Sequence, residues 1–112
     1  MNRAERFEVS LPVRFLADDR ILAGLSVNVS ETGMLARFDR PAEVWAEGLL
    51  STMVEGNFIG LEARVARAQG TDAGLTFHLR DEKDRQAVRM LLDYAMAQCG
   101  TAQGPPPGAS TS

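Results

Sequence analysis

Along the first part of the chain Phe7, Val9, Leu11, Val13 and Phe15 alternate with Glu8, Ser10, Pro12 and Arg14. A period of two sustained over this length predicts a strand with one buried face. Pro12 has no amide hydrogen, so the strand is expected at a sheet edge or with that position left unpaired. Asp18-Asp19 marks a turn. A second strand is predicted from about Arg20 to Val29 and a third from Met34 to Phe38, joined by the polar stretch Ser30-Glu31-Thr32-Gly33. After Asp39-Arg40-Pro41 and a less regular piece carrying Trp45, Leu49 to Val54 and Phe58 to Ala68 predict a hairpin about Glu55-Gly56-Asn57. Gln69-Gly70-Thr71-Asp72 closes another turn, after which Leu75, Phe77 and Leu79 alternate with Thr76 and His78. About six strands joined mostly by short turns predict an antiparallel barrel or sandwich.

The period then changes from two to about 3.6. Val88, Leu91, Leu92, Ala95, Met96 and Cys99 form one apolar stripe on a helix from about Glu82 to Gln98. Asp81 suits the N-cap, and Glu82 and Asp84 place negative charge in the first turn, where the helix dipole favours it. Gly100 is the expected stop. The stripe is expected to cover the barrel, with a dimer contact as its other use. Residues 1–99 thus read as one domain, and the uncharged stretch 100–112, with Pro105-Pro106-Pro107 inside it, as a disordered tail.

A chain of 112 residues with 45% hydrophobic and 24% charged positions fits one globular core, without room for a catalytic and a regulatory domain together. The net charge of −3 argues against a binder of duplex nucleic acid or of an anionic membrane. Any anionic partner must be held by local charges. Eleven of the twelve cations are arginine, Lys83 being the single lysine. That bias suits a fork that grips phosphate or a guanine edge bidentately, and it also suits codon usage in a GC-rich genome. Cys99 is the only cysteine, so no intrachain disulfide can form. With no signal-peptide pattern at Met1 and no apolar run of spanning length, a cytoplasmic location is expected.

Catalytic chemistry finds little material. His78 and Cys99 are the single histidine and thiol, one on a strand and one at the far end of the helix. No His, Cys or carboxylate cluster has metal-ligand spacing, and Gly56, Gly60, Gly70 and Gly74 make no phosphate-binding loop ahead of a helix. No enzyme, cofactor or metal is therefore expected. Two other pieces stand out. Arg3 and Arg6 precede the first strand, free of any ladder, and read either as solvated terminal charges or as a clamp. Asn28-Val29-Ser30-Glu31-Thr32-Gly33 offers an amide, a hydroxyl and an unobstructed glycine, in the pattern of an ordinary Asn/Ser turn or of a site.

The order of these parts resembles the PilZ domain family over about residues 2 to 98. The likeness rests on a short arginine segment, the Phe7–Phe15 strand, a second strand ending in Asn-x-Ser-x-x-Gly, hairpins ending in Ala73-Gly74-Leu75-Thr76-Phe77, and a final helix. The resemblance implies an all-β fold, a six-stranded antiparallel β-barrel with one C-terminal α-helix. Many members bind the bacterial second messenger cyclic di-GMP, through the signatures Arg-x-x-x-Arg and Asp/Asn-x-Ser-x-x-Gly. Asn28, Ser30 and Gly33 match the second fully. In the first, Arg6 takes the second arginine position, Asn2 falls on the other, and Arg3 lies one residue away.

The implied cyclic di-GMP site is Arg3, Arg6, Asn28, Ser30 and Gly33. The arginines would pair with phosphate or the O6/N7 edge of guanine, Asn28 would face guanine's polar edge, Ser30 would add a hydroxyl, and Gly33 would keep the approach clear. The implied function is a non-catalytic sensor that switches an unidentified protein effector in bacterial motility, attachment or exopolysaccharide control. The alternative is an adaptor of the same fold that binds a protein without nucleotide. Neither nucleic acid polymer nor membrane insertion is expected.

Overall fold

A computed structural model describes residues 5–103, the last five as backbone. Asn2 and Arg3, and residues 104–112 of the expected tail, lie outside the described residues. The elements in chain order are β1 (Phe7–Glu8), β2 (Pro12–Ala17), β3 (Arg20–Val29), β4 (Gly33–Phe38), β5 (Glu47–Val54), β6 (Asn57–Gln69), β7 (Asp72–Phe77) and α1 (Glu82–Gln103). All pairings are antiparallel, in the order β1-β3-β2-β5-β6-β7-β4, and a further β3–β4 pairing closes β2 to β7 into a six-stranded barrel. Closure removes the open edges that a sandwich would leave.

Hydrophobic alternation decides which side of each strand faces inward. Val13 and Phe15, Leu50 and Val54, Ile59, Leu61, Ala63 and Val65, and Ala73, Leu75 and Phe77 fill the barrel. Phe15 and Phe38 meet inside it with ring centroids 6.4 Å apart, and burying a side chain of that size stabilises by about 1.5–3 kcal/mol. Two-residue turns join three of the hairpins. At Glu55-Gly56 both residues take positive φ, 51° and 84°, which matches the twist of β5 and β6 and favours glycine at the second position.

The expected Phe7–Phe15 strand is in fact two. Glu8 pairs with Asn28 and Pro12 with Leu25, so three residues of the first strand oppose two of β3. The extra residue makes a bulge. Ser26 spans it: its hydroxyl accepts from the Leu11 amide at 2.9 Å and donates to the Val9 carbonyl, while Val9 and Leu11 stay buried. Pro12 is therefore not on an edge strand. It opens β2, which lies between β3 and β5, and needs no amide hydrogen there because the ladder begins at that residue.

The helix lays Val88, Leu91 and Ala95 against the core, with Leu92 half-buried beside them. Met96, expected in the same stripe, is 49% exposed, because the barrel surface accepts a narrower face than the sequence pattern draws. The side chain of Cys99 lies outside the described residues. The N-terminus follows expectation: Asp81 accepts from the Asp84 amide at 3.1 Å. Asp84, buried, in turn accepts from the Arg80 amide at 3.0 Å and Arg80 Nε at 3.1 Å, while Arg80 Nη1 reaches Glu62 at 3.1 Å. Arg80 thereby ties the helix start to β6. At the other end α1 continues through Gly100 to Gln103. An interior glycine costs only about 1 kcal/mol, which a docked helix tolerates. Strand β7 ends at Phe77, leaving His78 exposed just beyond it.

Candidate functional site

Two of the residues expected in a site, Arg6 and Asn28, meet where β1 pairs with the last residues of β3. Arg6, exposed just ahead of β1, donates from Nη1 to Asn28 Oδ1 at 2.8 Å. Residues 22 apart in sequence are thus joined across the outer surface. A second bulge makes this contact possible. Ser26 pairs with Ala36 and faces inward, whereas Asn28 pairs with Leu35, so Val27 is the extra residue. Without it the period of two would send Asn28 inward with Ser26; with it the amide turns outward.

Ser30 sits differently from Asn28. It is 0% exposed, and its hydroxyl lies within the turn, accepting from the Thr32 amide at 3.3 Å and donating to the Gly33 carbonyl at 3.4 Å. The Ser30 amide also donates to that carbonyl at 2.9 Å. The residue holds the connection between β3 and β4 in shape, as Ser-type turns do. Gly33 lies under Leu75, where a Cβ would come within 2.2 Å of the carbonyl oxygen. Its missing side chain lets β4 close on β7. The structure therefore brings Arg6 and Asn28 together at the surface and places Ser30 and Gly33 in the adjoining turn, whereas Arg3 is among the residues not described.

Between Asn28 and the far strand runs one cross-strand row. Asn28 on β3 opposes Leu35 on β4, Leu35 opposes Gly74 on β7, and Gly74 opposes Arg67 on β6. A neighbouring row holds Gly33, Thr76 and Arg64. In the first row Leu35 and Gly74 make a half-buried strip between Asn28 and the exposed Arg67; in the second Gly33 is buried, while Thr76 and Arg64 are exposed. The guanidinium groups around these rows differ in their engagements. Arg37 donates to Asp72 at 2.7 Å, which raises its own pKa and holds the Asp72 carboxyl below the ordinary carboxylate value. Arg64 stacks on Trp45, 5.3 Å from the ring centroid. Trp45 itself carries a φ of 75°, a left-handed conformation a bulky residue rarely adopts. In the sequence Leu35 and Arg67 carry no signal beyond their strands, and Gly74 stands out only as part of the Ala73–Phe77 strand end.

A depression of about 730 Å³ borders Arg6 and Asn28 at Glu8, Ser26 and Val27. Another of about 610 Å³ is lined by Glu47, Leu49, Glu62, Arg64, Thr76 and His78, among others, and includes none of Arg6, Asn28, Ser30 and Gly33. It holds no nucleophile paired with a base, and among the described residues no group of three or more His, Cys, Asp or Glu side chains could hold a metal ion. The chemistry on offer is recognition of planar, anionic groups by arginine and amide on an open surface.

Comparison with known proteins bears on the fold and the family. The PilZ domain model matches residues 2–95. Among solved structures, the PilZ domain of CeSA from a cellulose-synthesizing bacterium superposes with a TM-score of 0.74 at 19% identity, covering 80% of this chain and 96% of that one. The PilZ domain of YcgR from Escherichia coli, solved with c-di-GMP, gives 0.75 at 11% identity, covering 94% and 98%. The Bacillus subtilis inhibitor of motility MotI/DgrA gives 0.63 at 19% identity, covering 91% of this chain and 50% of that one. No curated protein sequence matches. A match across residues 2–95, on a closed six-stranded barrel with its C-terminal helix, places the chain in the PilZ domain family.

Proposed function

We propose that the chain is a non-catalytic receptor for cyclic di-GMP, bound on the outer barrel face by Arg3, Arg6, Asn28, Ser30 and Gly33. The observation that carries this reading is the 2.8 Å contact between Arg6 and Asn28, which joins one residue from each signature at the surface. A ligand phosphate or guanine edge competes for the same guanidinium and the same amide. Ser30 and Gly33 act by shaping the turn beside Asn28. Arg3 stands one residue from the family spacing, a displacement of at most ~3.8 Å along the chain, within what a long side chain can recover.

The signalling step is the exchange of the Arg6–Asn28 contact for ligand contacts, which moves the Arg6 guanidinium onto the nucleotide. A protein effector that prefers one of the two arrangements then reads the occupancy, because coupling requires differential affinity. The proposed setting is the bacterial cytoplasm. No helix among the described residues is long and apolar enough to cross a membrane. Titrating isotope-labelled protein with cyclic di-GMP tests the site. Amide shifts concentrated on Arg6 and on Asn28 to Gly33 agree with it; shifts confined to the helix or to the Glu47–Glu62 depression refute it.

A second reading has its own observation. With Arg6 already paired to Asn28, and Asn2 where the family has arginine, the same surface can serve as an adaptor that needs no nucleotide. Full binding of a protein effector in the absence of cyclic di-GMP would favour that reading.

A further inference from the structure

Two bulges aim two polar side chains at the same outer row. In β3 the extra residue Val27 turns Asn28 outward. In β6 Val65 opposes the buried Leu75 and Arg67 opposes Gly74, so Ala66 is extra there and Arg67 turns outward instead of following Val65 into the core. Bulges of this kind re-aim side chains and gather near binding sites. The two residues end up at opposite ends of Asn28–Leu35–Gly74–Arg67, three strand spacings or about 14 Å apart.

The row between them has the form of a seat for a planar group. Leu35 is half-buried and apolar, and Gly74 has no side chain; a Cβ there would meet only the Arg67 side chain, at 3.8 Å from Nε and 3.9 Å from Cβ. The Arg67 stem thus lies along the bare backbone of β7. Its guanidinium is exposed and, unlike those of Arg37 and Arg64, has no hydrogen-bond, ion-pair or ring partner among the described residues. A pre-aimed, unengaged fork beside a flat floor is the arrangement that reads the O6 and N7 acceptors of guanine together.

From this geometry we infer that Arg67 is a specificity-determining residue: it reads the edge of the second guanine of the ligand while the base lies over Leu35 and Gly74. The inference rests on the cyclic di-GMP reading above and extends it to a part of the surface that the two signatures do not reach. Arg6 and Asn28 take one end of a two-base ligand, and Arg67 takes the other. Adenine presents an amino donor where guanine presents O6, so the same fork discriminates against cyclic di-AMP.

Calorimetric titration of the full chain with cyclic di-GMP and with cyclic di-AMP tests this, using wild type, Arg67→Ala and Arg67→Lys. For Arg67→Ala we expect about a tenfold or greater loss of affinity for cyclic di-GMP, little change for cyclic di-AMP, and hence a collapse of the preference between them. Arg67→Lys restores charge without the fork and should recover little of that preference. An equal loss for both nucleotides would make Arg67 a phosphate contact and overturn the inference. Wild-type affinity in Arg67→Ala would overturn it too and leave the receptor reading standing. Failure of wild type to bind either nucleotide refutes the receptor reading itself, and with it this extension. The side chain is exposed and unpartnered, so thermal melting of both variants should match wild type.

Discussion

Gly33 packs directly under the backbone of Leu75, so that a single added carbon would lie 2.2 Å from the Leu75 carbonyl oxygen. Gly74, one residue before Leu75, is different: a Cβ there meets only the flexible Arg67 side chain, nearest at 3.8 Å. The two glycines should therefore respond oppositely to the same change. Gly33→Ala is expected to destabilise the domain by about 2 kcal/mol or more, since β4 must move off β7. Gly74→Ala should leave the urea midpoint nearly unchanged. Equal midpoints for the two variants would contradict the placement of Gly33.

Ser26 should prove a strong structural residue despite lying outside both signatures. Its hydroxyl bridges the Leu11 amide and the Val9 carbonyl where the ladder is interrupted. Removing it in Ser26→Ala leaves two buried backbone groups unpaired, at a cost of about 1–3 kcal/mol. Urea denaturation measures the loss. Amide exchange should accelerate most at Leu11, the residue that bonds the hydroxyl directly.

The strands were legible in the sequence wherever a period of two met a short turn, which covers most of β3 through β7. Their bulges were not, because one extra residue leaves the composition of a strand untouched and only changes which partner each residue meets. That is why Phe7–Phe15 read as one strand, and why the outward aim of Asn28 and Arg67 could not be seen. The Asn-x-Ser-x-x-Gly spacing was visible, but the division of labour inside it was not. Ser30 and Gly33 resemble site residues in sequence, and their burial against the Thr32 amide and Leu75 emerges only from the three-dimensional packing. The helix stripe was drawn too wide at Met96 and ended too early at Gly100, since neither the curvature of the barrel nor the docking of the helix is encoded locally.

Acid should loosen the helix start. The guanidinium and amide of Arg80 both donate to Asp84 and hold its carboxyl below the ordinary value of 3.8. The unfolded chain then takes up the proton at higher pH than the folded one. The contribution is full above about pH 5 and fades as pH falls through the folded pKa, below 3.8. Asp84→Asn should flatten the dependence of the urea midpoint on pH over that window while wild type keeps its slope. An unchanged slope would remove Arg80 and Asp84 from the acid response. Asp72, also held low by Arg37, is an exposed partner and should contribute little.

Restoring the family spacing should strengthen binding. Asn2→Arg puts a guanidinium at the regular Arg-x-x-x-Arg distance ahead of Arg6, beside the Arg3 that now stands one residue too near. We expect cyclic di-GMP to bind several-fold more tightly, within the range of one added charge-assisted hydrogen bond. An unaltered constant would show that Arg3 already fills that place.

The claim on which the receptor reading depends is that Arg6 leaves Asn28 for the nucleotide. Titration calorimetry with cyclic di-GMP, run side by side on wild type and Arg6→Ala, tests it most directly. Saturable binding by wild type, weakened about tenfold or more in a variant that melts at the wild-type temperature, is the outcome expected when an exposed arginine contributes to the site and little to the fold. No heat from wild type up to about millimolar nucleotide, where binding is worth only ~4 kcal/mol, or identical constants for both proteins, would contradict it.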